Sequence, residues 1–147
     1  MSARMGQEMD EILSRLEEDY VRAVKGNESG NVEDFVEKFL YDSWAYNEEN
    51  MDNIKSVLSR YTRKEIHQST FSGSFNEMVG HLQKKLKELD RDKNYPALHT
   101  DYGASVVVAF VDGLIIQYYV GVYSIDQLKN MTPAFKRLIL EALTVET

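Results

Sequence analysis

Residues 104–122 read ASVVVAFVDGLIIQYYVGV, an apolar run interrupted by Ser105, Asp112, Gly113 and Gln117 in a chain of 147 residues that is otherwise polar and acidic. The run could be a buried strand beginning at SVVVAF or a helix. A strand needs partners, and no other segment shows the alternation of a strand. A helix is therefore expected from about Asp101 to Gly121.

On a helical wheel of about 100° per residue, Asp101, Ser105 and Asp112 fall within about 40° of one another, and Tyr119 joins them in a narrow wet stripe. The remaining positions form two apolar sectors. One holds Tyr102, Val106, Ala109, Phe110, Gly113, Gln117 and Val120. The other holds Ala104, Val107, Val111, Leu114, Ile115 and Tyr118. A helix that is apolar on two sides has to be covered twice. Asp112 and Gln117 interrupt it well short of the twenty or so apolar residues of a membrane span. One sector is expected to meet the chain's own core. The other meets a second molecule, or the helix lies at the centre of the bundle. Gly113 and Ala109 flatten the first sector, which makes it the preferred intermolecular face.

The periodicity of the rest is helical. Met9, Ile12, Leu13, Leu16, Tyr20 and Val24 mark a first helix over about residues 7–25, ended by the loop Gly26–Gly30. Asn31 suits a cap for the second, with Glu33 and Asp34 favoured in its first turn. Val32, Phe35, Val36, Phe39 and Leu40 form its stripe. Met51, Ile54, Val57, Leu58 and Tyr61 mark a third helix. Ser74-Phe75-Asn76-Glu77 reads as a capping box opening a fourth, which carries Met78, Val79, Leu82, Leu86 and Leu89. A hinge, NYPALHT, leads to the apolar run. After it, Ser124–Gln127 is a second capping box for a short turn near residues 125–130. Thr132-Pro133 then restarts the chain as cap and first helical residue. The fold class predicted is all-α, an antiparallel bundle of five to six helices in one domain over residues 1–147.

Composition narrows the function classes. No cysteine is present, so there is neither a disulfide framework nor a thiolate metal site. The net charge of −7 disfavours binding to phosphate backbones. No signal peptide follows Met1, and a cytoplasmic location is expected. Glu77 and His81 have a spacing that can hold a metal, but they lie on the polar side of their helix and read as an exposed pair. No nucleophile elbow, phosphate loop or H-E-x-x-H is present, so no enzyme activity, metal or cofactor is expected.

DYGASVVVAFVDGLIIQYYVG followed by SIDQLKNMTPAFKRLILEAL resembles the C-terminal half of TetR-family transcriptional regulators. The likeness rests on the apolar run around Asp112-Gly113-Leu114, the short acidic loop and the final amphipathic helix. Helix order and spacing extend it from about Met9 to Leu143. It implies a homodimer whose last two helices form the interface and whose preceding helices enclose a small, often apolar or aromatic effector. The family's N-terminal helix-turn-helix has no counterpart in these residues. DNA would then be reached only through that missing domain.

From the residues themselves, Phe39, Ser43, Tyr46, Leu58, Tyr61, Phe71, Phe75, Met78 and Leu82 are candidates for a ligand site, because apolar walls with a few placed polar groups suit a small molecule. Ser43 has an alternative in a bond to its own helix backbone, and Trp44 could be rim, core or exposed. The candidate dimer face is Tyr102, Val106, Phe110, Gly113, Gln117 and Val120 with Phe135, Leu138, Ile139 and Ala142. Gln117 could pair across an axis, touch a ligand or bond a nearby backbone group. The alternative function is a dimeric helical interaction protein with a filled core and no ligand.

Overall fold

The computed structural model describes residues 2–62 and 68–146. It is all-helical: α1 (Ser2–Gly26), α2 (Val32–Glu49), α3 (Met51–Thr62), α4 (Gln68–Leu89), a 3-10 turn (Pro96–His99), α5 (Gly103–Tyr119) and α6 (Ile125–Leu143). No strand occurs among the described residues. No helix among them is long and apolar enough to cross a membrane.

Helix α2 begins as its sequence suggests. The Asn31 side chain accepts from the Asp34 backbone N–H at 2.7 Å, satisfying a donor that the first turn leaves free. Its stripe of Val32, Phe35, Val36, Phe39 and Leu40 is buried, and so is Trp44. Trp44 is therefore core. Its indole N–H donates to the Thr132 hydroxyl of α6 at 2.9 Å, and that hydroxyl donates to the Leu128 carbonyl at 2.7 Å. A large side chain can be fully buried there because its one polar atom is satisfied.

Two helix starts differ from expectation. Helix α4 begins at Gln68, so Ser74–Glu77 lies inside it rather than capping it. The S-x-x-E pattern is a cap only where the Ser backbone is non-helical, and here residues 68–73 are already helical. Helix α6 begins at Ile125 behind Ser124, whose capping box is formed, and then runs unbroken through Pro133. Thr132 does not restart it, since its hydroxyl is spent on Leu128 and Trp44. Proline removes one internal hydrogen bond. Pro133 and Lys129, whose carbonyl loses that bond, both belong to exposed residues, so water can replace it.

The hinge between α4 and α5 is tightly organised. Asp90 is buried, and its carboxylate accepts from the backbone N–H groups of Asn94 and Tyr95 at 3.0 Å each and meets His99 Nε2 at 2.9 Å. Gln83 on α4 donates its amide to the carbonyls of Leu98 (2.7 Å) and Thr100 (3.1 Å), and accepts from the Ala104 N–H at 2.7 Å. One side chain thus supplies the cap that Tyr102 does not. Gly103 lies so close to the 3-10 turn that a Cβ would meet the Ala97 carbonyl oxygen and stand 2.9 Å from the Leu98 Cα. The other end of α5 closes at Gly121 (φ 85°). There Val122 N–H reaches Gln117 O at 2.8 Å and Gly121 N–H reaches Tyr118 O at 3.1 Å, the paired bonds of a Schellman cap.

Helix α5 packs between α4 and α6, α1 lies on α4, and α2 lies on α6. The sector of α5 that enters the core is Ala104, Val107, Val111, Leu114 and Ile115, with Val108 beside it.

Gly103→Ala is expected to destabilise the fold by about 1–3 kcal/mol, because the obstacle is backbone that cannot rotate away. Gly113→Ala, whose Cβ would meet nothing within 4 Å, should be neutral or gain up to about 1 kcal/mol in helix propensity. Urea denaturation of both variants checks this contrast.

Candidate functional site

Four helices leave space between them. α1 brings Leu16, Asp19, Tyr20 and Ala23, while α2 brings Phe39, Ser43, Tyr46 and Asn47. Met78 and Val79 of α4 and Val108, Val111 and Asp112 of α5 complete most of the wall around a cavity of about 440 Å³. That volume is within the range of small-molecule sites, roughly 300–1,000 Å³. The amphipathic stripes explain the placement. Residues 39, 43 and 46 on α2 and 16, 20 and 23 on α1 recur at three and four, so each helix turns one face to the same space.

The aromatic part of the wall is ordered. Tyr20 meets Phe39 edge-on, with centroids 5.9 Å apart at 85°, and Phe39 stacks on Phe35 at 6.2 Å. Most polar groups nearby are satisfied. Ser43 donates to the Phe39 carbonyl at 2.7 Å, the bond to its own helix, and Asn47 donates to the Ser43 carbonyl at 2.8 Å. Tyr46 donates to Asp19 at 3.0 Å and Tyr119 donates to Asn47 at 2.7 Å. Burial and then the Asp19 partner push the Tyr46 hydroxyl well above the usual phenol range.

Two groups stand apart. The Tyr20 hydroxyl is buried and makes no hydrogen bond among the described residues. Burial, and then the charge of Asp112, hold its proton on. Asp112 makes no hydrogen bond or ion pair among the described residues. Water can reach its carboxyl, yet the surrounding protein pushes its pKa up to about 6 by desolvation.

Of the residues expected at a ligand site, Phe39, Ser43, Tyr46 and Met78 line the cavity. Leu82 does not; it is fully buried in the core, because its position on α4 points past the cavity to the packed side. The side chains of Leu58, Tyr61, Phe71 and Phe75 lie outside the described residues. The sequence reading placed Asp112 on a wet stripe and missed it as a wall residue. The available signal was an acid within an otherwise apolar helix. Tyr20 is one position of the α1 stripe, and nothing in that periodicity sets it apart as a wall residue.

The second feature is a face. The first sector of α5 is left largely uncovered: Tyr102, Ala109 and Val120 are exposed, Val120 at 71%, and Val106 and Phe110 are half-buried, with exposed Ile116 beside it. Gly113 is exposed as well, and among the described residues the Gln117 side chain donates to the Gly113 carbonyl alone, at 3.4 Å. On α6, Leu138 is exposed, with Phe135 and Ala142 half-buried beside it, and Val145, just beyond the helix, is exposed too. Ile139 does not belong to this face. It is fully buried, since one residue beyond Leu138 turns it about 100° into the core.

Glu77 and His81 are 4.0 Å apart on the surface. No group of three residues able to hold a metal occurs among those described. Comparison with family models, with curated proteins and with solved structures finds no match to this chain.

The Asp112 carboxyl, raised from 3.8 to about 6, would by itself favour the neutral form by roughly 3 kcal/mol. Water entering the cavity screens much of that, leaving about 1 kcal/mol. The folded state holds this proton more tightly than the unfolded state, so the ionised group costs stability as pH rises through the window from about 4 to 6. Asp112→Asn should therefore be about 1 kcal/mol more stable than wild type at pH 7.5, with the gap closing toward pH 4 in denaturant titrations at each pH.

Proposed function

We propose that this chain is the effector-binding and dimerisation module of a TetR-like transcriptional regulator. The observation that carries this reading is the cavity between α1, α2, α4 and α5, walled by aromatic and aliphatic side chains and provided with unpartnered polar groups. Apolar enclosure with few polar contacts is the character of a small-molecule site. A filled-core interaction protein would have no such space. Leu16, Asp19, Tyr20 and Ala23 of α1 are on the wall, so an occupant bears directly on α1, the helix that leads toward the DNA-binding heads in the resembled family. The chain's own charge of −7 makes it a poor partner for duplex DNA.

The uncovered α5–α6 face is the proposed dimer interface. Each large apolar side chain removed from water there contributes about 1.5–3 kcal/mol. A two-fold arrangement sets the same face against its copy. Gly113 is where helices from two chains could approach closely.

Two measurements test the proposal. Sedimentation should give a dimer at micromolar concentration. Gly113→Leu, whose Cβ would meet nothing within 4 Å, should keep its helical spectrum while shifting to monomer. A monomeric wild type would remove the dimer. N-phenyl-1-naphthylamine, a neutral dye that brightens in apolar sites, should saturate at one per chain and lose at least about tenfold in affinity in Val108→Phe, which fills the cavity. Unchanged binding in that variant, or none in wild type, would remove the effector site.

A further inference from the structure

The charges of the cavity wall are all of one sign. Asp19, Asp42, Glu49 and Asp112 line it, and no Lys, Arg or His does so among the described residues. Two of these acids are already compensated. Asp19 accepts from Tyr46 and lies 3.5 Å from Arg22, and Asp42 is paired with Lys38 at 2.9 Å. Glu49 and Asp112 have neither a hydrogen bond nor an ion pair among the described residues; Glu49 is exposed at the end of α2, whereas Asp112 is carried on the helix that forms the apolar floor.

We infer that the cavity selects an organic cation with an apolar or aromatic body, its positive centre set against the Asp112 carboxylate and its body against Tyr20, Phe39 and Met78. This rests on the effector-site reading above and names the class of its ligand. Three physical effects favour it. Asp112 is exposed at the cavity's edge, and its carboxylate there, with no partner on the protein, is a ready counter-charge for a cation seated against the apolar wall. Tyr20 and Phe39 offer ring faces and edges, and a ring face attracts a positive centre. The Tyr20 hydroxyl, buried and without a hydrogen bond among the described residues, is within electrostatic reach of Asp112, and its oxygen can lie against the positive centre. A neutral ligand would leave the carboxylate uncompensated, and an anion would add repulsion.

Three probes sharing one ring system test this by isothermal titration at pH 7.5: trimethyl(naphthalen-2-yl)ammonium, the neutral 2-tert-butylnaphthalene, and naphthalene-2-sulfonate. The expected order is cation first, at least about tenfold tighter than the neutral probe, with the sulfonate undetected. In Asp112→Asn the cation should lose about tenfold, while the neutral probe stays within about twofold. The cation should also weaken as pH falls from 7.5 to 5. Among the described residues, Tyr20 of α1 and Tyr119 of α5 are the titratable groups on which the Asp112 charge acts; both stay protonated throughout, as does Tyr46. A neutral or anionic probe binding as tightly as the cation would overturn the inference and leave the effector site standing, as would a cation preference surviving in Asp112→Asn. Binding by none of the three would overturn both. Wild-type selectivity decides the matter independently if Asp112→Asn does not fold.

Discussion

Helix α5 is apolar on both sides, and the other elements are arranged to cover one of them. Ala104, Val107, Val111, Leu114 and Ile115 enter the core between α4 and α6, where their removal from water is a large favourable contribution to the fold. The ends of the helix are held by polar devices that burial alone would not supply: the Gln83 amide at the start and the Gly121 turn at the finish. Gly103 permits the close approach that brings the N-terminal end against the 3-10 turn. The uncovered sector follows from the same geometry, because a helix seated between two neighbours can turn only part of its circumference toward them.

The cavity is the counterpart of that packing on the other side of the bundle. Helix α2 serves both regions. Trp44 faces α6 and ties to Thr132, while Phe39, Ser43 and Tyr46 face α1. The α6 side is closed by fully buried side chains, and the α1 side is left open. Asp112 and the Tyr20 hydroxyl sit on the open side without partners, an arrangement that costs stability and gains a use only when something else supplies the contacts.

Much of this was legible in the chain. Repeats of three and four residues gave an all-helical bundle of five to six helices, Asn31 and Ser124 marked two starts, and the wheel divided α5 into two apolar sectors, of which the fold buries one. Local signals failed where tertiary contacts override them. Ser74–Glu77 has the composition of a cap but lies within a helix that begins at Gln68. Thr132-Pro133 has the composition of a helix start, yet Trp44, 88 positions away in sequence, engages the Thr132 hydroxyl inside a continuous α6. Ile139 and Leu138 are neighbours in one apolar stripe, and only the position of α2 and α5 decides that the first is core and the second surface.

By itself the sequence determined the all-helical class, the apolar character of α5 and its division into two faces, because these depend on periodicity and capping chemistry within a few residues. Only the tertiary structure decided that Asp112 and Tyr20 share a cavity wall, that Leu82 is core, and that Gln83 and Asp90 hold the α4–α5 connection. Those facts depend on how helices distant in sequence are placed against one another. Helical periodicity gives the direction of a side chain from its own axis, but not what stands opposite it.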